Sequence, residues 1–251
     1  MPLQLSRTVD HLRDSMNANL RTGAEPLAVR THVRGELGPP AYCHAHFSVD
    51  DFYRHDCASG AIRNVYGQRL LLASGAFLAA LTESLLTILG SEAVTSLNRI
   101  GRQWGESDFD LFKARMEEEY GVPLGDLDLS LVLESWWWPK RAQGWGNWQC
   151  DLSRRKEGFV SIDVENSAVV AALGRTGYCE CHLYAGLFAG AMTRLTSRSL
   201  DGVEISCAAR GDERCRFIVA APARIEMVRG LRDGGASTAE ILRRLTATGS
   251  H

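Results

Sequence analysis

Apolar residues recur three or four positions apart at Leu5, Val9, Leu12 and Met16, which predicts an amphipathic helix over residues 5–20. The segment "GELGPPAYC" reads as a loop from its glycines and prolines. Helical patterns then dominate from about residue 60 to 120. A break at "GSEAV" offers Ser91 as an N-cap, and Gly121 with Pro123 closes this half. From Leu127 the period changes. "LDLSLVLESWWW" alternates apolar and polar residues through Leu133, which predicts a half-buried strand. "GWGNWQCDL" and "GFVSIDV" predict two more strands, joined by the polar turn "SRRKEG". A helix is expected over roughly 178–196. "GVEISCAAR" and "RCRFIVA" form a hairpin, and two short helices finish the chain, the second capped by Ser237 or Thr238. Helices, then strands, a helix and a hairpin amount to an α+β fold with an antiparallel sheet.

The stretch from Leu70 to Leu89 is long and apolar enough for a membrane span. Ser74, Thr82, Glu83, Ser84 and Thr87 interrupt it, and flanking aromatic belts are missing. It is expected to lie in a core or at a dimer interface, where Ala73, Gly75, Ala76, Ala79 and Ala80 permit close packing.

A formal net charge of -2 and the lack of a basic run argue against a general grip on nucleic acid. The first twenty residues lack the pattern of an export signal, so a cytoplasmic location with mostly reduced cysteines is expected. No triad order, phosphate loop or dinucleotide fingerprint appears, which leans against an enzyme.

The segment "EISCAARGDERC" places Cys207 and Cys215 symmetrically about Gly211. Across a hairpin the two would lie opposite each other, with Cβ atoms about 4.5–5.5 Å apart. They can share a metal ion, form a cross-strand disulfide, or remain buried thiols. Cys179 and Cys181 can supply a third ligand and Glu204 an oxygen. Glu204 and Cys207 are three apart, however, so a regular strand would point them to opposite faces. A bulge, or a strand starting after Glu204, is required.

Cys181 opening a helix with Gly186 and Gly190, then Glu204, Cys207 and Cys215, resembles the 4-vinyl reductase domain family. It also resembles the related N-terminal sensor domains of aromatic-responsive, sigma-54-dependent activators. The resemblance is strong over 178–220. It is weaker over 53–170, where "FYRHD", "RIGRQWG" and "GWG" look like family features. It implies a structural zinc on Cys181, Glu204, Cys207 and Cys215. It also implies a TRAPP small-subunit or NO-signalling-like ligand-binding fold that dimerises through long helices and encloses an apolar pocket. The tryptophan that these sensors carry just before the zinc helix is absent, so their phenol specificity does not carry over. The resulting division is an N-terminal extension (1–50), a ligand-binding domain (51–222) and C-terminal helices with a tail (223–251).

Trp136, Trp137, Trp138, Trp145 and Trp148 cluster within thirteen residues. On a strand Trp136 and Trp138 would share a face, either as core or as the wall of a pocket. Trp136, Trp138, Trp145, Trp148 and Tyr184 are the candidate ligand contacts. Lys140 and Arg141 read as a solvated turn, or as partners of a ligand carboxylate at a pocket mouth. His44, His46, His55 and Cys57 form a second metal candidate, for zinc, iron or haem, against the plainer reading of surface histidines. His182 reads as an ordinary helix residue. Together these features point to a zinc-stabilised, homodimeric protein that senses or carries a small hydrophobic or aromatic molecule, working with a separate effector. The alternatives are a vinyl reductase or pigment carrier for a tetrapyrrole, and a structural subunit of an assembly.

Overall fold

The computed structural model describes residues 33–34, 49–64 and 66–247. The helix expected over 5–20, the loop around Pro39, and both His44 and His46 lie outside the described residues.

In chain order the elements are β1 (Val33–Arg34), α1 (Val49–Phe52), β2 (Tyr53–Asp56), β3 (Ala61–Asn64), β4 (Arg69–Leu70), α2 (Gly75–Leu89) and α3 (Glu92–Tyr120). Then follow α4 (Leu129–Ala142), β5 (Asn147–Asp151), β6 (Phe159–Glu165), α5 (Ala168–Leu173), α6 (His182–Thr196), β7 (Asp201–Ser206), β8 (Cys215–Ala220), α7 (Pro222–Asp233) and α8 (Thr238–Ala247). Five strands form the main sheet in the order β1-β5-β6-β8-β7, antiparallel except for the β1–β5 pair. β2, β3 and β4 form a separate antiparallel sheet where the sequence suggested helix.

The α+β class holds, but residues 127–138 are not a strand. They enter α4, started by Asp128, whose side chain accepts from the backbone N–H groups of Ser130 at 2.9 Å and Leu131 at 3.1 Å. Every residue from Ser130 to Trp138 is buried. A helix covered on all sides carries no 3.6-residue pattern, so its first residues imitate alternation. Lys140 and Arg141 are therefore not a turn: they lie in the last turn of this helix, and Lys140 is buried. α2 and α3 meet at Gly90, and Ser91 makes no side-chain cap there. Ser237 does cap α8, its Oγ accepting from the Glu240 N–H at 3.2 Å.

α3 and α6 form the central helix pair, and glycine makes it possible. A Cβ at Gly101 would stand 2.0 Å from the Leu183 carbonyl oxygen, and one at Gly105 would stand 2.2 Å from that of Leu187. From the other side, a Cβ at Gly186 would stand 1.9 Å from the Asn98 oxygen and one at Gly190 2.3 Å from that of Arg102. Two Gly-x-x-x-Gly faces thus meet backbone to backbone. α6 also lies on the main sheet, while α7 and α8 pack Ile225, Val228, Ile241 and Leu245 into a second cluster with Val203 and Ile218.

Candidate functional site

Four donors from three places converge at the N-terminal end of α6. Cys181 occupies the N-cap position of that helix. Cys215 opens β8 beside Val164 of β6. Cys207 follows β7, and its backbone N–H donates to Asp212 Oδ2 at 2.7 Å while its carbonyl accepts from Arg210 and Asp212. Arg210 holds Asp212 in place through Nε and Nη2, at 2.9 and 2.6 Å. Gly211 turns the chain at φ +107°, a conformation that favours glycine.

Glu204 reaches the same point because the register slips. It pairs with Phe217, while Ser206 pairs with Arg216, the next residue of β8, so Ile205 is the extra residue of a bulge. That bulge brings Glu204 and Cys207 to one side.

All four side chains are buried, and their ligand atoms lie within 4.8 Å of one another. Cys181 Sγ is 3.7 Å from Cys215 Sγ, which is 3.8 Å from Cys207 Sγ. These separations are far too long for a disulfide, about 2.05 Å. Ligands placed about 2.3 Å from a central ion stand about 3.8 Å apart along a tetrahedral edge, which matches. Glu204 Oε2 accepts from the Cys181 backbone N–H at 2.9 Å, whereas Oε1 is buried with no hydrogen-bond partner. A buried oxygen without a donor is what a cation would satisfy.

The electrostatics point the same way. Burial and the neighbouring Cys207 push the Glu204 carboxyl well above the usual carboxylate range. Hydrogen bonds from Cys179, Cys181 and Cys215 pull the Cys207 thiol far below its ordinary value, so negative charge gathers there. The cluster can therefore hold a metal ion. His182, adjacent in sequence, is not part of it, and burial with the nearby Arg232 pushes its pKa down to about 4.

The tryptophans separate into different environments. Trp137 stacks on Trp148 at 5.1 Å, and Trp148 stacks on Phe188 at 5.9 Å, filling the space between α4, β5 and α6. Trp138 meets Phe52 edge-on, and Trp145 packs against Trp104 and Tyr184. The Tyr184 hydroxyl donates to the Trp145 carbonyl. Trp136 lines a cavity of about 70 Å³ together with Trp104, Asp108, Phe112 and Lys140. One water needs about 10–15 Å³ of such space, so the cavity suits a molecule the size of a single ring. In its wall, Asp108 accepts from Trp136 Nε1 at 2.8 Å and from the Lys140 ammonium. Lys140 also sits 4.6 Å from the centre of the Trp136 ring.

Sequence reading missed Asp108 and Trp104. The available signal was a carboxylate set between Gly105 and Phe112 on the buried stripe of α3. Of the second metal candidate, His55 is exposed on β2 and Cys57 is exposed in the following turn. Neither belongs to a metal-capable group among the described residues.

No curated protein matches the chain. The phenol-responsive sensory domain of the transcription activator PoxR, solved with phenol, is similar at 22% identity and a TM-score of 0.56. That likeness covers 70% of this chain and 88% of the sensory domain, and shows a shared fold. A trafficking protein particle complex subunit 3 from Naegleria fowleri, covalently bound to palmitic acid, aligns at 15% identity and a TM-score of 0.42, over 58% of this chain and 93% of that one. Residues 160–221 match the 4-vinyl reductase domain, the segment that carries Cys181, Glu204, Cys207 and Cys215, so the chain resembles that domain family there and shares its wider fold with the PoxR sensory domain.

Proposed function

We propose that this chain is a zinc-stapled binding domain for a small aromatic or hydrophobic molecule, acting as a sensor or carrier without chemistry of its own. The observation that carries this reading is the ring-sized cavity beside Trp104, Trp136, Asp108 and Lys140. Indole faces suit a flat apolar body, and the ammonium–carboxylate pair offers a donor and an acceptor to one polar substituent. The phenol held by the PoxR sensory domain supports the ligand class.

Cys181, Glu204, Cys207 and Cys215 would hold the zinc. When bound, it would join β7 and the hairpin turn to the start of α6. Four protein ligands would complete the coordination, so its role is structural. We infer a homodimer formed through α2, which leaves Phe77 56% and Ile88 77% exposed. A separate effector would then read the ligand-bound state.

The test is a titration of the protein with phenol and with larger two-ring phenols, followed by tryptophan fluorescence. Saturable quenching by the one-ring compound, weakened at least tenfold in Trp136→Leu and absent for the larger rings, is the expected result. A fluorescence signal indifferent to every one-ring aromatic would overturn the reading.

A further inference from the structure

The small sheet carries a row of like charges that the metal cluster and the cavity do not use. Arg54 of β2 lies opposite Arg63 of β3, and Arg63 lies opposite Arg69 of β4. Directly opposed residues project from the same face, so the three side chains leave the sheet together. Adjacent strands are about 4.8 Å apart, which makes the row about 10 Å wide. Like charges set opposite one another destabilise a sheet. None of these arginines forms an ion pair among the described residues.

The same three line one surface concavity of about 500 Å³ with Asp56, Ser59 and Gly67. Its single carboxylate, Asp56, is already engaged by the Ala58 and Ser59 backbone N–H groups and the Ser59 hydroxyl. Backbone carbonyls brace two of the arginines: Arg63 Nη1 donates to Gly67 O at 3.2 Å and Arg69 Nη2 to Gly60 O at 2.8 Å. A guanidinium has five N–H donors, so most remain unused.

We propose that the Arg54–Arg63–Arg69 row is a binding site for a phosphate-bearing anion, with a diphosphate as the best match. Guanidinium forks suit phosphate oxygens. Two linked phosphates can each address a different rung of the row, and their charge removes the repulsion along it. A free diphosphate and a lipid phosphate headgroup share this chemistry.

The test is calorimetric titration of the full chain with inorganic pyrophosphate, at low salt and at high salt. Binding that weakens with salt is expected. Arg63→Glu should lower the affinity at least tenfold, Arg54→Glu should do the same, and both variants should melt no lower than the parent. Sedimentation with phosphatidylcholine vesicles, with and without phosphatidic acid, identifies the source. Pyrophosphate-competed capture on the acidic vesicles supports the site as a headgroup site. Pyrophosphate binding without vesicle capture supports it as a site for a soluble anion. Failure to bind either probe, or binding unchanged in Arg63→Glu, overturns the proposal. So does a single-stranded oligonucleotide that binds more tightly than pyrophosphate, since the row would then serve nucleic acid.

Discussion

Glu204 Oε2 accepts the Cys181 backbone N–H at 2.9 Å, while its other oxygen is buried without a partner, so one carboxylate caps a helix and faces three thiols. This arrangement makes the metal measurable. Freshly purified protein is expected to contain one zinc per chain by elemental analysis. Cys207→Ser or Cys215→Ser should lower metal affinity by at least 100-fold and reduce the melting temperature by several degrees. Cobalt substitution should give intense thiolate-to-metal absorption in the parent and a weaker band in each serine variant. Metal-free protein with an unchanged melting curve would remove the staple.

The α3–α6 contact should tolerate no added atom. Gly101→Ala or Gly186→Ala must push a carbonyl aside, and is expected to cost about 3 kcal/mol, the upper end for overpacking. Gly230 lies inside α7, where an added methyl would meet nothing within 4 Å. There the same substitution should stabilise by about 0.5–1 kcal/mol through helix propensity. Urea denaturation of the three variants checks both signs.

Lys140 and Asp108 should behave as a unit. Lys140→Met alone leaves a carboxylate half-compensated in a nearly closed site and is expected to cost about 3 kcal/mol. The double variant with Asp108→Leu should cost less than the two single changes added together. Burial pushes the Lys140 pKa down, and Asp108 pulls it part of the way back. The folded chain therefore releases this proton at a lower pH than the unfolded chain, whose lysines titrate near 10.5. Between those points the unfolded state binds more protons, so this group's contribution to stability rises with pH. Denaturation across the alkaline range should show that rise in the parent and not in Lys140→Met.

The exposed face of α2 leads to a further expectation. Light scattering should give the mass of a dimer, and Ile88→Arg with Phe77→Arg should shift it to that of a monomer without loss of helix content. A parent that is monomeric at about 100 µM, a concentration at which even a weak interface of this kind associates, would sink the dimer reading.

The metal ligands were legible in the sequence because thiols and a carboxylate carry their chemistry in their names, and a hairpin fixes which of them meet. Even the need for a bulge followed from the period of two between Glu204 and Cys207. α4 was not legible, since burial on every side erases the pattern that distinguishes a helix. The Asp108–Lys140 pair was hidden for another reason: its members stand 32 residues apart and meet only through packing of α3 on α4.

Where Gly101 and Gly105 face Gly186 and Gly190, the interface has no side chains to change rotamer. The two helices cannot slip past each other by repacking, because carbonyl groups already fill the gap. They form a single rigid beam, with the cysteine cluster at one end and Asp108 of the ring-sized cavity farther along it. A molecule entering that cavity can tilt the beam as a whole or displace α4, and either movement would reach the metal end without loss along the way.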